Sequence, residues 1–357
     1  MFEDFSVSIG MKILINIPSL KLLGGVANHY LGLKCFWTEN VKYNIVGKRS
    51  ERFSGVFCLP WDILKFIVKI ILFKPDIVLL NPSLGTSALK RDFLFLNIAV
   101  LLNVKVAVFI HGFNLEYSQN VDKKWLCKNL NKASLILVLA SSFREYLKSW
   151  GVTSSICLTT TKVDDALVHD FDINSRGTIL GNILCVTRIE KAKGVYESLD
   201  AFHLLKQKFR DLTFTLVGDG NELHAVRKYV QEKNIDGVTI TGRLDGKDLI
   251  NEFQRAGFFF FFTSYGEGMP TCVLEAMAFG LPIFTRKVGG LVDFFDERMG
   301  FITDSLKPYD FANACEAYLN NIEKYSLTAT FNYQYANKHF MASSVAKSLE
   351  EILKKVV

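Results

Sequence analysis

A chain of 357 residues is too long for one ordinary hydrophobic core and points to two domains of roughly 150 to 200 residues each; at 49% hydrophobic residues with 30 Phe, both can bury a substantial interior. The seven cysteines (Cys35, Cys58, Cys127, Cys157, Cys185, Cys272, Cys315) are odd in number and scattered, with no CxxC or Cys/His cluster, which argues against a disulfide framework or metal site and fits a reducing cytoplasm. The net charge of +6 is uneven: residues 1–165 carry 20 Lys+Arg against 12 Asp+Glu (+8) and the remainder 22 against 24 (−2), so the first half fits a polyanionic neighbour such as an anionic membrane, an anionic substrate or nucleic acid.

The opening MFEDFSVSIG is acidic and lacks an apolar h-region, so no signal peptide is expected, and residues 1–10 read as a dispensable extension. Met11 begins MKILINIP, whose KILINI (12–17) is the first predicted strand. LLGGVANHY (22–30) follows, where Gly24 and Gly25 allow close backbone approach to a phosphate or sugar. Next come a strand YNIVG (43–47) and a helix WDILKFIVKIILFK (61–74). The helix is expected to pack on the first sheet with Lys65 and Lys69 in water; the competing reading lays it on an anionic leaflet. Strands DIVLLN (76–81), VKVAVFI (104–110) and SLILVLA (134–140) complete this half, and VFIHGFN puts His111 at a strand's carboxyl end. No run of about 18 uncharged apolar residues occurs, because ILKFIVKIILF (63–73) is broken by its lysines and FLFLNIAVLLNV (93–104) is too short.

The weakest patterning lies at DDALVHDFDINSRGT (164–178), where a domain linker is expected; its acids, DD (164–165) and DFD (170–172), follow no apolar strand and read as solvated. The second half offers strands ILCVTR (183–188), FTLVG (214–218), VTITG (238–242), FFFFFT (258–263) and PIFT (282–285), and the chain closes on an amphipathic helix, SSVAKSLEEILKKVV, with Ser343 or Ser344 near its cap. Short apolar runs alternating with amphipathic ones make an α/β protein of βα units and parallel sheets, whose ligands bind at the carboxyl edge. Two such domains facing each other leave a cleft.

The stretch TSYGEGMPTCVLEAMAFGLP, Thr263 to Pro282, holds the densest chemistry. A helix starting near Pro270–Thr271 offers free N–H groups and a positive dipole end, which suit a phosphate or sugar oxygen. Glu267, between Gly266 and Gly268, points a carboxylate to the same place, and Glu275 can take a vicinal diol such as a ribose in a two-pronged hydrogen bond. Carboxylates beside a phosphate need a cation, and VTRIEKAKGV (186–195) supplies Arg188 and Lys193, suited to a diphosphate whose charge grows as a bond breaks. VGDGNEL (217–223) fails the GxGxxG spacing of a dinucleotide site. The aromatics fall mostly in strand-like core runs, which argues against nucleic-acid binding.

The GG loop, strand-end His, R-x4-KG and E-x7-E before a helix, in this order, resemble the retaining GT-B glycosyltransferases of family 4. The matching segments are LGGVANHY, VFIHGFN, ILCVTRIEKAKGVYESLDAF, LTFTLVGDGNEL, VTITGRL and SYGEGMPTCVLEAMAFGLPIFTRKVGG, densest from 183 to 302. The resemblance implies two Rossmann-like domains facing each other across a cleft: 1–165 binding the acceptor, 166–340 binding a nucleotide-sugar, and a C-terminal helix, 341–357, packing back toward the first. It implies that Arg188 and Lys193 hold the donor diphosphate, Glu267 a sugar hydroxyl, Gly268, Met269, Pro270 and Thr271 sugar and phosphate oxygens through their backbone, and Glu275 the ribose. Gly24 and Gly25 approach the diphosphate and sugar, His111 lies near the sugar hydroxyls or anomeric carbon, and Gly242, Arg243 and Leu244 border the base.

On that resemblance no metal is needed, because Arg and Lys replace it, and the sugar passes with retention by front-face attack from a UDP-sugar, in preference to a GDP-sugar. The acceptor is a glycan or lipid-linked hydroxyl in surface polysaccharide, lipopolysaccharide or glycolipid synthesis; the cysteine pattern leads us to expect a cytoplasmic protein, and the +8 charge of residues 1–165 a peripheral association with the inner membrane face. Two departures stand out: TTTKVDDAL (159–167) replaces an Asn-Gly-Val-Asp type segment, and GMP follows Glu267 in place of Gly-Phe-Gly. The alternatives are a nucleotide-sugar epimerase on the same scaffold and a silent glycan- or nucleotide-binding paralogue.

Overall fold

The computed structural model of the protein describes residues 10–21, 24–49, 55–113, 115–175, 180–264 and 266–357. The N-terminal extension up to residue 9, Leu22 and Leu23 of the GG loop, Asn114 of VFIHGFN, residues 176–179 and Tyr265 lie outside the described residues. Contacts divide the described chain into two units, one running to Thr161 and regaining Ala342–Val357, the other Lys162–Met341.

The first unit runs β1 (Lys12–Ile17), α1 (Gly25–Leu33), β2 (Asn40–Ile45), α2 (Leu59–Phe73), β3 (Ile77–Leu80), β4 (Ser83–Leu84), α3 (Thr86–Leu101), β5 (Lys105–Ile110), β6 (Gly112–Phe113), α4 (Leu115–Asn120), α5 (Lys123–Leu130), β7 (Leu135–Val138), α6 (Ser141–Trp150) and β8 (Ile156–Leu158). Six strands form a parallel sheet in the order β2-β1-β3-β5-β7-β8, and β4 pairs with β6 in a small ladder beside it. Strands such as IVLL and LILV are buried at every position, as crossover helices on both sheet faces require.

α2 packs on the first sheet as expected, with Lys65 exposed, and departs from expectation at Lys69. Phe66, Ile70 and Phe73 face the core with the acid Asp62. Lys69 is not free in water: its ammonium donates to the Tyr43 carbonyl at 2.7 Å. The outward side carries Trp61, Leu64, Val68, Ile71 and Leu72.

The second unit runs β9 (Asn182–Val186), α7 (Val195–Lys206), β10 (Thr213–Val217), α8 (Leu223–Glu232), β11 (Val238–Gly242), α9 (Gly246–Arg255), β12 (Phe258–Phe261), α10 (Thr271–Ala278), β13 (Ile283–Arg286), β14 (Gly300–Thr303), α11 (Pro308–Leu319) and α12 (Ile322–His339). Its six parallel strands lie in the order β11-β10-β9-β12-β13-β14. The run of five phenylalanines is explained by strand geometry, in which successive side chains point to opposite faces. Phe258, Phe260 and Phe262 enter the core under α7 and α11, whereas Phe259 and Phe261 enter the core under α9 and α10.

The stretch expected as a linker packs onto this unit where it is described. Val163 bridges Met341 in parallel and both are buried, Val168 joins the same core, and the Phe171 ring meets Phe279 at 5.0 Å. The division therefore falls after Thr161 rather than Asp165. The last helix, α13 (Ala342–Lys354), belongs to the first unit and packs on α1; it begins one residue before Ser343, so Ser343 and Ser344 lie inside its first turn.

Candidate active site

In the second unit β9 lies between β10 and β12, so the connections leave the sheet in opposite directions at its carboxyl end. This reversal opens the crevice where open α/β sheets take ligands. Arg188 follows β9, Gly242 ends β11 with Arg243 and Leu244 after it, and the acidic loop follows β12.

Two of these loops are zipped together by their backbones. Ser264 N–H donates to the Ala192 carbonyl at 2.8 Å, and the Thr263 hydroxyl donates to the same oxygen at 3.3 Å. Gly194 turns the chain at φ +71°, with its α-carbon pressed against the Phe262 carbonyl, where a Cβ has no room. The short turn Lys191–Lys193 is thereby laid beside Glu267, and the Lys193 ammonium donates to Glu267 Oε1. Gly289, at φ +49°, lies against the carbonyls of Glu267 and Gly268, and Gly290 N–H donates to the Gly268 carbonyl at 2.7 Å. Lys193 is buried and Glu267 largely so, a setting in which an ion pair is costly to break from one side only.

Beyond this loop α10 starts at Thr271 with Pro270 in extended conformation at its N-cap, and no side chain caps the first turn. Glu275 lies on α10, where burial pushes its carboxyl up to about 7; nearby Lys162 lowers it and Asp164 raises it. Lys162, itself buried, pairs with Asp164 at 2.6 Å. Asp164, expected as a solvated acid, is therefore a partner of a sealed lysine. The Cys272 thiol pKa is raised by burial and by the fields of Glu275 and Glu267, opposed by Lys193. Arg188 is not drawn into the pair: its guanidinium is 65% exposed and meets Glu190 at 3.0 Å. Arg243 is exposed, and Leu244 packs partly into the core.

Gly24, Gly25 and His111 belong to the first unit. Gly24 is the extended N-cap of α1, Gly25 its first residue, and a Cβ at either meets nothing within 4 Å. His111 directly follows β5, and its ring lies tilted against Phe109 with centroids 3.7 Å apart. Asn81 Nδ2 donates to the Asn16 carbonyl at 2.8 Å, which orients the amide and leaves Oδ1 to accept from Tyr30 O–H at 2.6 Å and His111 Nε2 at 3.0 Å. The proton therefore sits on Nε2, and Nδ1 is the ring's acceptor. Burial, then His29, holds the imidazole pKa well below its ordinary value, so the ring is neutral. Sequence reasoning missed Tyr30, Asn81, Lys162 and Cys272 as site residues. The signal for Lys162 was the departure at TTTKVDDAL; the others carry none that spacing reveals.

Residues 180–333 match the family model described as glycosyl transferases group 1. That segment belongs to the family. Arg188, Lys193, Gly242–Leu244, Glu267–Thr271 and Glu275 all fall inside the group 1 segment, whereas Lys162 and Asp164 precede it.

Among curated proteins, the chain is 26% identical over 164 residues to the putative teichuronic acid biosynthesis glycosyltransferase TuaC of Bacillus subtilis, covering 46% of this chain and 39% of that protein. It is 32% identical over 142 residues to the D-inositol 3-phosphate glycosyltransferase of Pseudarthrobacter chlorophenolicus, covering 38% and 34%. The chain thus spans well under half the length of these relatives. A crystal structure of Anabaena HepE in complex with UDP superposes with a TM-score of 0.74 at 15% identity, covering 97% of this chain and 100% of that one. The likeness establishes the fold, that of the GT-B glycosyltransferases with two Rossmann-like parts. Among the described residues, no cluster of three or more His, Cys, Asp or Glu is placed to hold a metal ion, and no helix is long and apolar enough to cross a membrane.

Proposed function

We propose that the chain is a retaining glycosyltransferase that moves a sugar from a nucleotide diphosphate, UDP in preference to GDP, to a hydroxyl of a glycan or lipid-linked acceptor. The carrying observation is the Lys193–Glu267 pair at the sheet reversal, beside the uncapped start of α10, inside a group 1 segment. The relatives' names support the reading: HepE is described with UDP-glucose and pneumococcal GtfA with UDP and GlcNAc.

Residues of the second unit hold the donor. Lys193 shares its charge between Glu267 and the diphosphate, and the exposed Arg188 swings from half-buried Glu190 to the same anion as negative charge grows on the leaving group. Glu267 takes a sugar hydroxyl, Glu275 the ribose diol, and the backbone of Gly268–Thr271 donates to sugar and phosphate oxygens. Gly242–Leu244 border the base. The first unit receives the acceptor; its Gly24–Gly25 turn leaves room for phosphate and sugar, and His111 Nδ1 accepts from a sugar hydroxyl. With no covalent nucleophile assigned, the C–O bond to the leaving phosphate breaks while the acceptor oxygen enters from the same face and passes its proton to that phosphate. No metal takes part, and the protein works from the cytoplasmic side of a membrane.

The test is a thermal-shift and donor-hydrolysis screen against UDP-, GDP- and ADP-sugars, with EDTA present. One nucleotide series should raise the melting temperature, since a ligand bound only by the folded state must stabilise it. Lys193→Ala and Glu267→Ala should each remove sugar release and lower the melting temperature, while far-UV circular dichroism stays native. Near-normal turnover in either variant, or no response to any donor, overturns the reading.

A further inference from the structure

α2 is apolar on two sides, and only one of them is used by the core. Phe57, Trp61, Leu64, Val68, Ile71 and Leu72 recur at steps of three and four, which places them along the outer face of the helix and the short turn before it. The five on the helix are 43% to 78% exposed, and Phe57 is 84% exposed. Scattered apolar residues are normal on a protein surface, but five along one helix face, continued by Phe57 in the turn before it, form a contiguous apolar stripe of the kind that marks interaction sites.

Among the described residues the exposed charges on and beside α2 are mostly cations, with Asp76 beyond its C-terminal end the exception. Lys65 holds its ammonium 5.2 Å over the Trp61 ring, and Lys42 lies 4.4 Å over Phe73 at the far end of the helix. Lys48 and Lys74 are exposed at the two ends. Lys69 has its pKa lowered by burial and then by the fields of Lys65, Arg49 and Lys42, so these cations crowd one another. The single acid of α2, Asp62, is sealed inside, accepting from Gly47 N–H at 2.7 Å and paired with Arg49. Apolar side chains flanked by cations, with the acid withdrawn, are complementary to acyl chains beneath anionic headgroups.

We propose that α2 is the element by which the first unit docks on an anionic phospholipid leaflet, its outer stripe entering the headgroup–acyl boundary and Lys42, Lys48, Lys65 and Lys74 meeting lipid phosphates. This deepens the lipid-linked part of the function proposed above. It does not depend on the donor chemistry, which is measured without lipid.

The experiment is co-sedimentation of the full chain with phosphatidylcholine vesicles, with and without phosphatidylglycerol, read together with tryptophan emission. Binding is expected only with the anionic lipid, weakening as salt is raised, with a blue shift of Trp61 that Trp61→Phe removes. Ile71→Ser with Leu72→Ser should weaken binding about tenfold or more while leaving the melting temperature unchanged, because both side chains are exposed. Absence of vesicle binding, or equal binding by the double variant, overturns the docking; donor hydrolysis that persists then sinks the docking alone. A stable dimer that the double variant dissolves, with no vesicle binding, assigns the face to a second copy and also overturns it.

Discussion

Burial and charge oppose each other at Glu275. Desolvation raises its carboxyl from 4.5 to about 7 even though Lys162 pulls the other way, so the group changes charge in the range where enzymes are assayed. A carboxylate accepts from both hydroxyls of a ribose, whereas a protonated acid gives up part of that capacity. The donor KM is therefore expected to fall as pH rises from about 6 to 8 and to level above that. Glu275→Gln should raise KM and flatten the profile, and Lys162→Met should move the midpoint upward. His111, held well below 6.5 by burial and His29, adds nothing in this window. The stability sign is the reverse of the binding sign. A folded-state pKa above the unfolded one favours the protonated form, so stability is full below about pH 4.5 and is lost as pH rises through about 7. Chemical denaturation should find Glu275→Gln more stable than the parent at pH 8 and equal to it near pH 4; the opposite order would show that Glu275 is not desolvated.

Loops, rather than single side chains, set the geometry of the donor site. The acidic loop is braced from behind by Gly289, whose positive φ and lack of a side chain let it lie on the Glu267 and Gly268 carbonyls. Gly289→Ala should push that loop forward, costing about 1–2 kcal/mol in stability and about tenfold or more in donor affinity. Gly25→Ala is the contrast: nothing lies within 4 Å of the added methyl, so the melting temperature should hold while donor KM rises if a ligand fills that space. Calorimetry of both variants beside their donor titrations separates the two cases. Much of this element-level frame is legible in the sequence, because apolar runs such as KILINI and FFFFFT coincide with buried strands and glycines punctuate their carboxyl ends. β8 and β14 are not, being short edge strands with partly buried residues and no continuous apolar run. Nor is the packing of 162–171, which depends on Met341 and Phe279, far away in the chain. Local polarity there suggests water, and only the folded chain shows Lys162 enclosed beside Glu275. α2 misleads in the opposite way: its lysines imply a wet outer face, but the outermost groups are aromatic and aliphatic.

At the scale of the whole molecule, the chain completes its second unit and then returns a helix to the first. α13 buries Val345, Ala346, Leu349 and Leu353, and its Glu350 is buried too, accepting from Thr38 N–H at 2.7 Å, the Thr38 hydroxyl at 2.6 Å and Glu39 N–H at 2.8 Å. Three donors converging on one enclosed carboxylate fix the turn that feeds β2, the edge strand of the first sheet. Glu350→Ala leaves those donors without their acceptor and is expected to cost about 3 kcal/mol. Lys354, which pairs with Glu39 at 2.5 Å but is half exposed, should cost much less than Glu350→Ala when changed to Ala, because water screens the pair. Hydrogen exchange locates the effect: Glu350→Ala should speed exchange at Thr38–Ile45 and along α13, while β9 to β14 keep their protection. Faster exchange spread evenly over both units would mean that they unfold as one body; unchanged exchange at Thr38–Ile45 would mean that the carboxylate does not hold the turn.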